Sequence, residues 1–391
     1  MNKPLVILAL PKHDDNFTST PYQLAMEFAK SGRVLYVSHP YSWLDLLRNM
    51  TDVRLIKRLK ASLRGGAVET SEHPNMMLLI LPLVLPINWL PSGKLYNWLS
   101  KVNHRIVARS INKTTAKLEL GRFHFINSHD YYFADMYRQL LGMSQYVYQC
   151  IDPIIKQYSA RHGKALEERA ARSADLVIST SPYLNERMLA YNPNSKLVPN
   201  AANFELCNKA MKEEIKTRPE ITKLNGLKIG YVGNIERRID YQMLINVFNA
   251  RPDWQLVMVG PKDESYIPAE FLALANLTLL LSVSHEQVPQ VLKSIDIAII
   301  PFVCDEVSAQ IYPLKMYEYL ASGKPVITTN FNPEVIDELQ AVVNIAADGI
   351  DFIWQAELLN TTDSAECQAQ RIQVARVNDW SQRSEMILNI I

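Results

Sequence analysis

Short apolar runs rich in β-branched residues alternate with segments of helical spacing along the whole chain, an order typical of parallel α/β layers. In the first half, the apolar runs predict strands at residues 5–10, 34–38, 77–81, 123–128, 146–151, 176–180 and 196–199. Helical spacing predicts helices at residues 21–30, 95–112, 134–141, 164–172 and 182–190. The pattern restarts in the second half, with strands predicted at residues 228–232, 255–259, 277–281, 295–300 and 326–329.

A polar, charged stretch separates the two halves of this pattern. Residues 208–226 lack the long apolar runs found on either side, and we interpret them as a linker. A chain of 391 residues is long enough for about two domains. We therefore predict two Rossmann-like domains joined once, with ligands bound at the carboxyl ends of the strands.

The composition is that of an ordinary globular protein, with 48% hydrophobic residues, 21% charged residues and a net charge of +1. This near-neutral balance argues against nucleic acid as a partner. The four cysteines are scattered without metal-site spacing, so we expect free thiols in a reducing, cytoplasmic compartment. The first residues run directly into a strand, so no signal peptide is expected. The apolar segment at residues 76–90 is too short to span a bilayer.

The most informative segment is the run YPLKMYEYLASGKPVI at residues 312–327, which follows an apolar strand. Its helix is predicted to begin near Pro313, a residue tolerated in the first turn, and to end at Gly323. Lys315 lies in the first turn and Glu318 lies one turn later on the same side. A helix N-terminus with a lysine attracts phosphate, and a carboxylate one turn deeper suits a ribose diol. The segment therefore predicts the donor end of a nucleotide-sugar site.

This run resembles the C-terminal signature of the GT-B glycosyltransferases, the group that includes the retaining family-4 enzymes. The resemblance implies that Glu318 holds the nucleotide ribose and that Lys315 lies near the diphosphate. The chain departs from the family at Gln310, where many members carry a second glutamate near the donor sugar. The resemblance also implies that three neighbouring residues, Tyr312, Pro313 and Leu314, line the donor site.

The resemblance implies a GT-B architecture, two Rossmann-like domains facing each other across a cleft. Residues 1–207 would form the acceptor-side domain and residues 227–375 the nucleotide-sugar domain. Residues 208–226 would be the linker between them. Residues 376–391 would form the final helix that crosses back to the first domain.

The turn YVGNIERR at residues 231–238 follows the first strand of the second half. In GT-B enzymes the matching turn brings backbone and a basic side chain to the diphosphate. Gly233 allows close approach of a ligand beside Asn234, and a guanidinium can grip two phosphate oxygens. The sequence does not separate Arg237 from Arg238 for this role, and a plain glycine turn with two solvated arginines stays open. The next strand ends in a turn whose Pro261 lies where family members line the base.

A histidine and an aspartate follow the fourth predicted strand. His129 and Asp130 resemble a His-x-His-Asp strand end of the family, with Asn127 in place of the first histidine. The resemblance implies that His129 faces the donor sugar and phosphate, where it can stabilise charge on the leaving diphosphate. We therefore group His129, Gln310 and Lys315 as candidate catalytic residues. The alternative is a strand-terminal histidine beside a helix-capping aspartate.

Three further residues are predicted on the acceptor side together with Asp130. Asp152 follows the fifth strand, where an acceptor-side role and a helix cap before Pro153 are equally supported. Ser19 and Thr20 end a loop after the first strand that has no glycine, so their hydroxyls would supply the polar contacts there.

A basic segment in the first half has two open interpretations. It carries six basic residues opposed within the segment by Asp52 alone: Arg48, Arg54, Lys57, Arg58, Lys60 and Arg64. An amphipathic helix of this charge suits an anionic membrane surface or a polyprenyl-phosphate acceptor. A solvated helix face is the alternative.

These observations predict a cytoplasmic glycosyltransferase, peripheral on the inner face of the membrane if the basic segment docks there. It would use a nucleotide diphosphate sugar as co-substrate, with UDP favoured over GDP, and a glycan or polyprenyl-linked acceptor. The resemblance implies retention of configuration, and neither a metal nor another cofactor is expected. Two alternatives remain, a nucleotide-sugar epimerase and a catalytically silent module that binds a glycan or a partner.

Overall fold

A computed structural model describes residues 3–14, 19–154 and 161–391. The chain divides into two compact α/β units. The first unit comprises residues up to Pro199 together with Arg383–Ile391, and the second comprises Asn200–Gln382. Both units contain a largely or wholly parallel sheet, which confirms the predicted α/β class.

The sheet of the first unit has eight strands in the order β3-β4-β2-β1-β5-β6-β7-β8. The strands are β1 (Leu5–Ala9), β2 (Val34–Ser38), β3 (Ala67–Thr70), β4 (Met76–Ile80), β5 (Phe123–Ser128), β6 (Met143–Cys150), β7 (Leu176–Ser179) and β8 (Ser195–Leu197). All pairs are parallel except β3 with β4. The central strands are buried on both faces, which explains their nearly continuous apolar sequence.

Helices connect the parallel strands of this unit. They are α1 (Thr20–Ser31), α2 (Trp43–Arg48), α3 (Val53–Arg64), α4 (Lys94–Lys117), α5 (Gly163–Ser173) and α6 (Pro182–Leu189). In α1, Pro21 occupies the first turn, while Leu24, Ala25 and Phe28 form the buried face.

The sheet of the second unit has six parallel strands in the order β11-β10-β9-β12-β13-β14. These are β9 (Lys228–Val232), β10 (Gln255–Val259), β11 (Leu277–Leu280), β12 (Ile297–Ile300), β13 (Val326–Thr328) and β14 (Asn344–Ile345). The helices are α7 (Phe204–Asn208), α8 (Pro219–Thr222), α9 (Tyr241–Ala250), α10 (Ala269–Leu272), α11 (Val288–Ser294), α12 (Leu314–Ala321), α13 (Pro333–Ile336), α14 (Gly349–Thr362) and α15 (Ala365–Val377). The last helix, α16 (Trp380–Leu388), begins in this unit and continues into residues that belong to the first.

The structure differs from the predicted pattern at a few elements. The edge strands β3 and β14 were not predicted, since both are short and only partly buried. The helix predicted at residues 134–141 is wrong, because the chain there forms 3-10 turns at Tyr131–Phe133 and Met136–Gln139. The Asn112 side chain of α4 donates to the Gln139 carbonyl and accepts from the Leu141 N–H, so a tertiary contact satisfies groups that a helix would have paired.

The segment predicted as a linker packs against the second unit. Asn208 Nδ2 donates to the Ala321 carbonyl at 2.9 Å, and the Arg218 N–H donates to Ser294 Oγ at 2.7 Å. The boundary between the units lies at Pro199 instead of residue 207. Residues from Arg383 onward lie with the first unit, where Arg383 Nε donates to the Pro199 carbonyl at 3.0 Å.

All four cysteines are free. Within the described ranges, no helix combines the length and the apolar composition needed to cross a bilayer.

The C-terminal end of α12 depends on one buried arginine. Arg371 is 4% exposed, donates from Nε and Nη2 to the Gly323 carbonyl at 3.0 and 2.8 Å, and pairs with Asp363. Arg371→Leu should lower the free energy of unfolding by about 2–3 kcal/mol, since it removes hydrogen bonds from a charged donor. Urea denaturation measures the loss.

Arg172→Leu is the matched control, because that arginine forms an exposed pair with Glu168 on α5. Its cost should stay below about 1 kcal/mol. Equal costs for the two variants would contradict a capping role for Arg371.

Candidate functional site

Two glycine turns meet at the carboxyl ends of neighbouring parallel strands in the second unit. Gly233 follows β9 with φ +151°, and Gly260 follows β10 with φ +150°. A Cβ on Gly260 would lie 2.1 Å from the Gly233 carbonyl oxygen. Both turns therefore require glycine, for backbone conformation and for space.

The Lys315 side chain lies directly over Gly233. A Cβ on Gly233 would lie 2.0 Å from Lys315 Cε and 2.6 Å from Nζ. Nζ lies 5.6 Å from the centre of the Tyr231 ring. Among the described residues, the ammonium has no hydrogen bond and no ion pair within 4.0 Å. Burial lowers the pKa of Lys315, and the nearby Glu318 opposes that shift. A partly buried cation without such a partner is an attractive site for an anion.

The helix that carries Lys315 is fastened to the end of β9. Tyr319 OH accepts from the Val232 N–H at 2.8 Å and lies 3.3 Å from its carbonyl oxygen. Glu318 precedes this tyrosine and is partly buried. Its carboxylate makes no hydrogen bond within the part of the chain that the structure describes. The first two turns of α12 thus present a cation beside the Gly233 turn and a carboxylate one turn further along the helix.

The two candidate arginines of this turn already have acidic neighbours. Arg238 pairs with Glu236, and its guanidinium lies 5.3 Å from the centre of the Phe302 ring. Arg237 Nη1 lies 3.5 Å from Asp305 Oδ2. Neither arginine is a plain solvated side chain, and a phosphate would have to share them with these carboxylates.

The remaining predicted donor-site residues lie around these elements. The Asn234 carbonyl accepts from Tyr231 OH at 3.0 Å, and Pro261 is exposed after β10. Gln310 ends a 3-10 turn, with Nε2 donating to the Glu306 carbonyl at 2.8 Å. Three more lead into α12: Tyr312, whose hydroxyl lies 2.7 Å from that of Tyr317, Pro313 at the N-cap and Leu314 in the first turn.

In the first unit, the end of β5 is held in an unusual conformation. His129 has φ +61°, which is rare for a residue other than glycine. The Asn127 side chain bridges the Asp130 backbone, accepting from its N–H at 2.9 Å and donating to its carbonyl at 3.1 Å. Asn127, which replaces the histidine of the resemblance, therefore has a structural role in fixing this strand end.

A buried polar cluster lies beside His129. Lone-pair atoms of His129, Cys150 and Glu167 lie within 4.8 Å of one another. Arg187 Nη2 pairs with Glu167 Oε2 at 2.7 Å and lies 3.7 Å from Cys150 Sγ. Burial, with a smaller effect of Arg187, lowers the pKa of His129 to about 4. His129 is therefore neutral at physiological pH and can act there as a hydrogen-bond donor or acceptor.

The structure describes the other three acceptor-side candidates but does not bring them together in one site. Thr20 is buried at the start of α1, and Ser19 precedes it as the N-cap with no side-chain cap bond. Asp152 is exposed. Residues 15–18 and 155–160 lie outside the described residues. The helix that Asp152 would cap, one of its two open interpretations, therefore cannot be compared with the structure.

A cavity of about 300 Å³ in the first unit was not predicted. Its lining includes His39, Arg48, Trp89 and Tyr132. His39 Nδ1 lies 2.8 Å from Oδ2 of the fully buried Asp130. The sequence could have indicated this pair, because His39 directly follows β2 and so lies at the same edge of the sheet as Asp130.

Tertiary contacts also changed the interpretation of the basic segment. Arg58 is buried and pairs with Asp14, and Lys57 pairs with Glu69. Arg54 pairs with Asp52, as the sequence suggested. Half of the six basic residues are therefore paired with acids. The partners of Arg58 and Lys57 lie outside the segment, so the segment's own sequence could not reveal them.

Comparison with known proteins found a family match for part of the chain. Residues 226–356 match the sequence model of the family described as Glycosyl transferases group 1. The chain carries a group 1 glycosyl transferase domain. A Bacillus subtilis protein provisionally named as a teichuronic acid biosynthesis glycosyltransferase is 27% identical over 264 residues. That alignment covers 62% of this chain and 65% of the relative. The predicted family resemblance is confirmed.

Solved structures show the fold of the whole chain. A trehalose-phosphate synthase from Burkholderia xenovorans, solved with glucose-6-phosphate, has a TM-score of 0.69 at 10% identity and covers 99% of both chains. A sucrose-phosphate synthase from Thermosynechococcus elongatus has a TM-score of 0.67 at 15% identity, covering 99% of this chain and 98% of its own. Anabaena HepE in complex with UDP has a TM-score of 0.62 at 15% identity, covering 99% of both. These likenesses confirm the GT-B class of fold.

The contact between Gly233 and Lys315 can be tested by adding one methyl group. The resemblance implies a nucleoside diphosphate at Lys315. If one binds there, Gly233→Ala should displace the Lys315 side chain and weaken UDP binding by about 1.5–3 kcal/mol, the loss of one hydrogen bond to a charged group. Calorimetry measures the affinity. Gly32→Ala is the control, because a Cβ at Gly32 meets nothing within 4 Å. Unchanged UDP affinity in Gly233→Ala would contradict the role assigned to this contact.

Proposed function

We propose that the protein transfers a sugar from a nucleotide diphosphate sugar to a hydroxyl of a glycan or lipid-linked acceptor. The observation that carries this proposal is the start of α12, where Lys315 lies beside the Gly233 turn and Glu318 one turn further along, both without hydrogen-bond partners among the described residues. The family match over residues 226–356 supports it, because it covers these residues.

Each part of the donor would meet a matching group in the second unit. The N–H groups at the start of α12 and the Lys315 ammonium would bind the diphosphate. Glu318 would accept hydrogen bonds from the ribose hydroxyls. One of Arg237 and Arg238 would add a second cation, exchanging its carboxylate partner for phosphate. Protein cations would thus balance the diphosphate charge without a metal.

UDP is the donor nucleotide we favour. Anabaena HepE was solved with UDP, and the Burkholderia synthases are named as UDP-forming. The Bacillus relative is named for teichuronic acid biosynthesis, which supports a role in polysaccharide assembly. Retention of the anomeric configuration follows from the family-4 resemblance and is part of the proposal.

A donor screen tests the function directly. Purified protein is incubated with UDP- and GDP-sugars and a panel of glycan and polyprenyl-linked acceptors, and nucleoside diphosphate release is measured. We expect acceptor-dependent release from at least one UDP-sugar, with the product anomer identified by NMR. Tight glycan binding without release from any donor would instead support the silent module.

The ribose contact gives a separate prediction. Glu318→Ala should weaken UDP binding by about 1.5–3 kcal/mol, because it removes a charged hydrogen-bond acceptor. Calorimetry with UDP and GDP measures the change. Glu338→Ala, at an exposed position of the same unit, serves as the control. If Glu318→Ala binds both nucleotides as tightly as the parent, Glu318 does not contact the ribose.

We further propose that α3 contacts an anionic membrane surface. Lys60 and Arg64 have no ion pair among the described residues, and Val53 and Leu63 are 76% and 85% exposed on the same helix. Cations beside exposed apolar side chains suit an interfacial helix. The double variant Lys60→Ala/Arg64→Ala should weaken binding to acidic liposomes by about 2 kcal/mol.

Co-sedimentation with acidic and neutral liposomes measures this effect, and added salt should reduce the binding. The control removes two exposed lysines elsewhere in the first unit, Lys101 and Lys196. Equal binding to neutral liposomes, or equal loss in the control, would support a solvated helix face.

A further inference from the structure

The exposed face of α4 in the first unit carries a row of cations without partners. The helix, Lys94–Lys117, contains no aspartate or glutamate. Lys101, Arg105 and Arg109 are exposed, and their side chains make no hydrogen bond or ion pair with any residue that the structure describes. We call these three residues the basic row.

Helical spacing aligns the basic row. Its members are four residues apart, so they follow one another on one side of the helix at steps of about 6 Å. Trp98, three residues before Lys101, lies on the same side and is 61% exposed. The opposite side of α4 is fixed in the core of the first unit by Val107, Ala108 and Ile111. The row and the indole therefore face away from the core together.

Neighbouring segments add positive charge near this face. Lys113 Nζ donates to the Arg64 carbonyl at 2.8 Å, which places the basic end of α3 beside α4. The 3-10 turn Met136–Gln139 also packs against α4 and carries Arg138 but no acid. Asp135, just before that turn, pairs with an arginine of α5. These described segments therefore offer the basic row no free carboxylate.

The exposed face of α4 differs from that of α3 in its lack of apolar groups. Beyond Trp98, no large hydrophobic side chain of α4 is exposed, and the structure describes every residue of this helix. On α3, by contrast, Val53 and Leu63 are exposed. An interfacial helix inserts an apolar face among lipid chains, whereas α4 has buried its apolar face in the protein. The basic row therefore suits a hydrated polyanion better than a bilayer.

A linear acidic polysaccharide fits this surface in charge and in spacing. A step of about 6 Å along the helix is comparable to the length of one sugar in an extended chain, so successive acidic sugars can each meet a cation. Lysine and arginine bind carboxylates and other oxyanions by charge-assisted hydrogen bonds. The flat face of the Trp98 indole suits the apolar face of a sugar ring.

We propose that α4 binds a linear acidic polysaccharide, with one sugar against Trp98 and the acidic groups of the following sugars along the basic row. The inference goes beyond the proposed transferase function, because it concerns binding by the first unit and requires no turnover. It names the chemical class of the ligand, a chain of sugars that carry carboxylate or other acidic groups.

The first experiment tests charge and length with oligogalacturonates of increasing size, measured by calorimetry on the full-length protein. Trp98 and Arg109 are about 16 Å apart along the helix axis, so affinity should rise up to about four sugars and then level off. Added salt should weaken the binding. Neutral malto-oligosaccharides of the same lengths are the control. Equal affinity for the neutral chains would overturn the inference.

The second experiment removes the basic row. The variant Lys101→Gln/Arg105→Gln/Arg109→Gln should raise the Kd for oligogalacturonate about tenfold or more, because three charge pairs are lost. Thermal melting checks that the variant folds. The matched control removes the same charge by changing three other exposed lysines of the first unit to glutamine: Lys3, Lys164 and Lys196. An equal loss in this control would show that only net charge matters and would overturn the role of the row.

The indole is tested separately from the charges. Trp98→Ala should weaken oligogalacturonate binding several-fold, since it removes the platform for a sugar ring. Trp354→Ala is the matched control, because that indole is 57% exposed on the second unit. Equal affinities of the two variants would contradict the contact assigned to Trp98.

Other polyanions are further outcomes of the test. The variant without the basic row should bind acidic liposomes as the parent does, in agreement with the liposome control above that removes Lys101. Liposome binding lost in this variant, or single-stranded DNA bound at the row as tightly as oligogalacturonate, would overturn the assignment to a polysaccharide. Oligogalacturonate binding that depends on the row, in a protein that turns over no donor, would support this inference and refute the proposed function.

Discussion

Parallel strands place all their carboxyl ends at one edge of a sheet, and this constraint organises both units. In the second unit, β9 and β10 end in the turns of Gly233 and Gly260, which touch because the strands are neighbours. In the first unit, β2 and β5 flank β1, so His39 and Asp130 meet although 91 residues separate them. Residues far apart in the chain therefore converge without long loops.

The close contact at Gly233 shows how backbone geometry prepares a charged site. Since glycine has no Cβ, the Lys315 chain can cross the turn at a distance that a methyl group would forbid. The Tyr319 hydroxyl fastens α12 to β9, and Arg371 caps the carbonyl of Gly323 beyond the other end of that helix. The ammonium is thus held in place before a ligand arrives. The part of the chain that the structure describes offers this partly buried ammonium no ion pair, which costs stability, and a bound diphosphate would offset that cost.

The elements that carry the candidate site could be predicted because their signals are local. The spacing of Lys315 and Glu318 and the glycine at the end of β9 each depend on a few adjacent residues. The partners of the charged groups could not be predicted in the same way. Arg58 pairs with Asp14 across 44 residues, and this contact removes a cation from the surface proposed to meet a membrane.

The sequence by itself determined the α/β class, the two-part organisation, most strand positions and the start of α12, because hydrophobic period and turn chemistry act over short distances. Only the tertiary structure decided the eight-stranded order that pairs His39 with Asp130, the packing of residues 208–226 on the second unit and the burial of Arg58. Each of these depends on which strands and helices become neighbours. The packing of the whole unit determines these neighbours, and no short segment of sequence contains enough information to predict them.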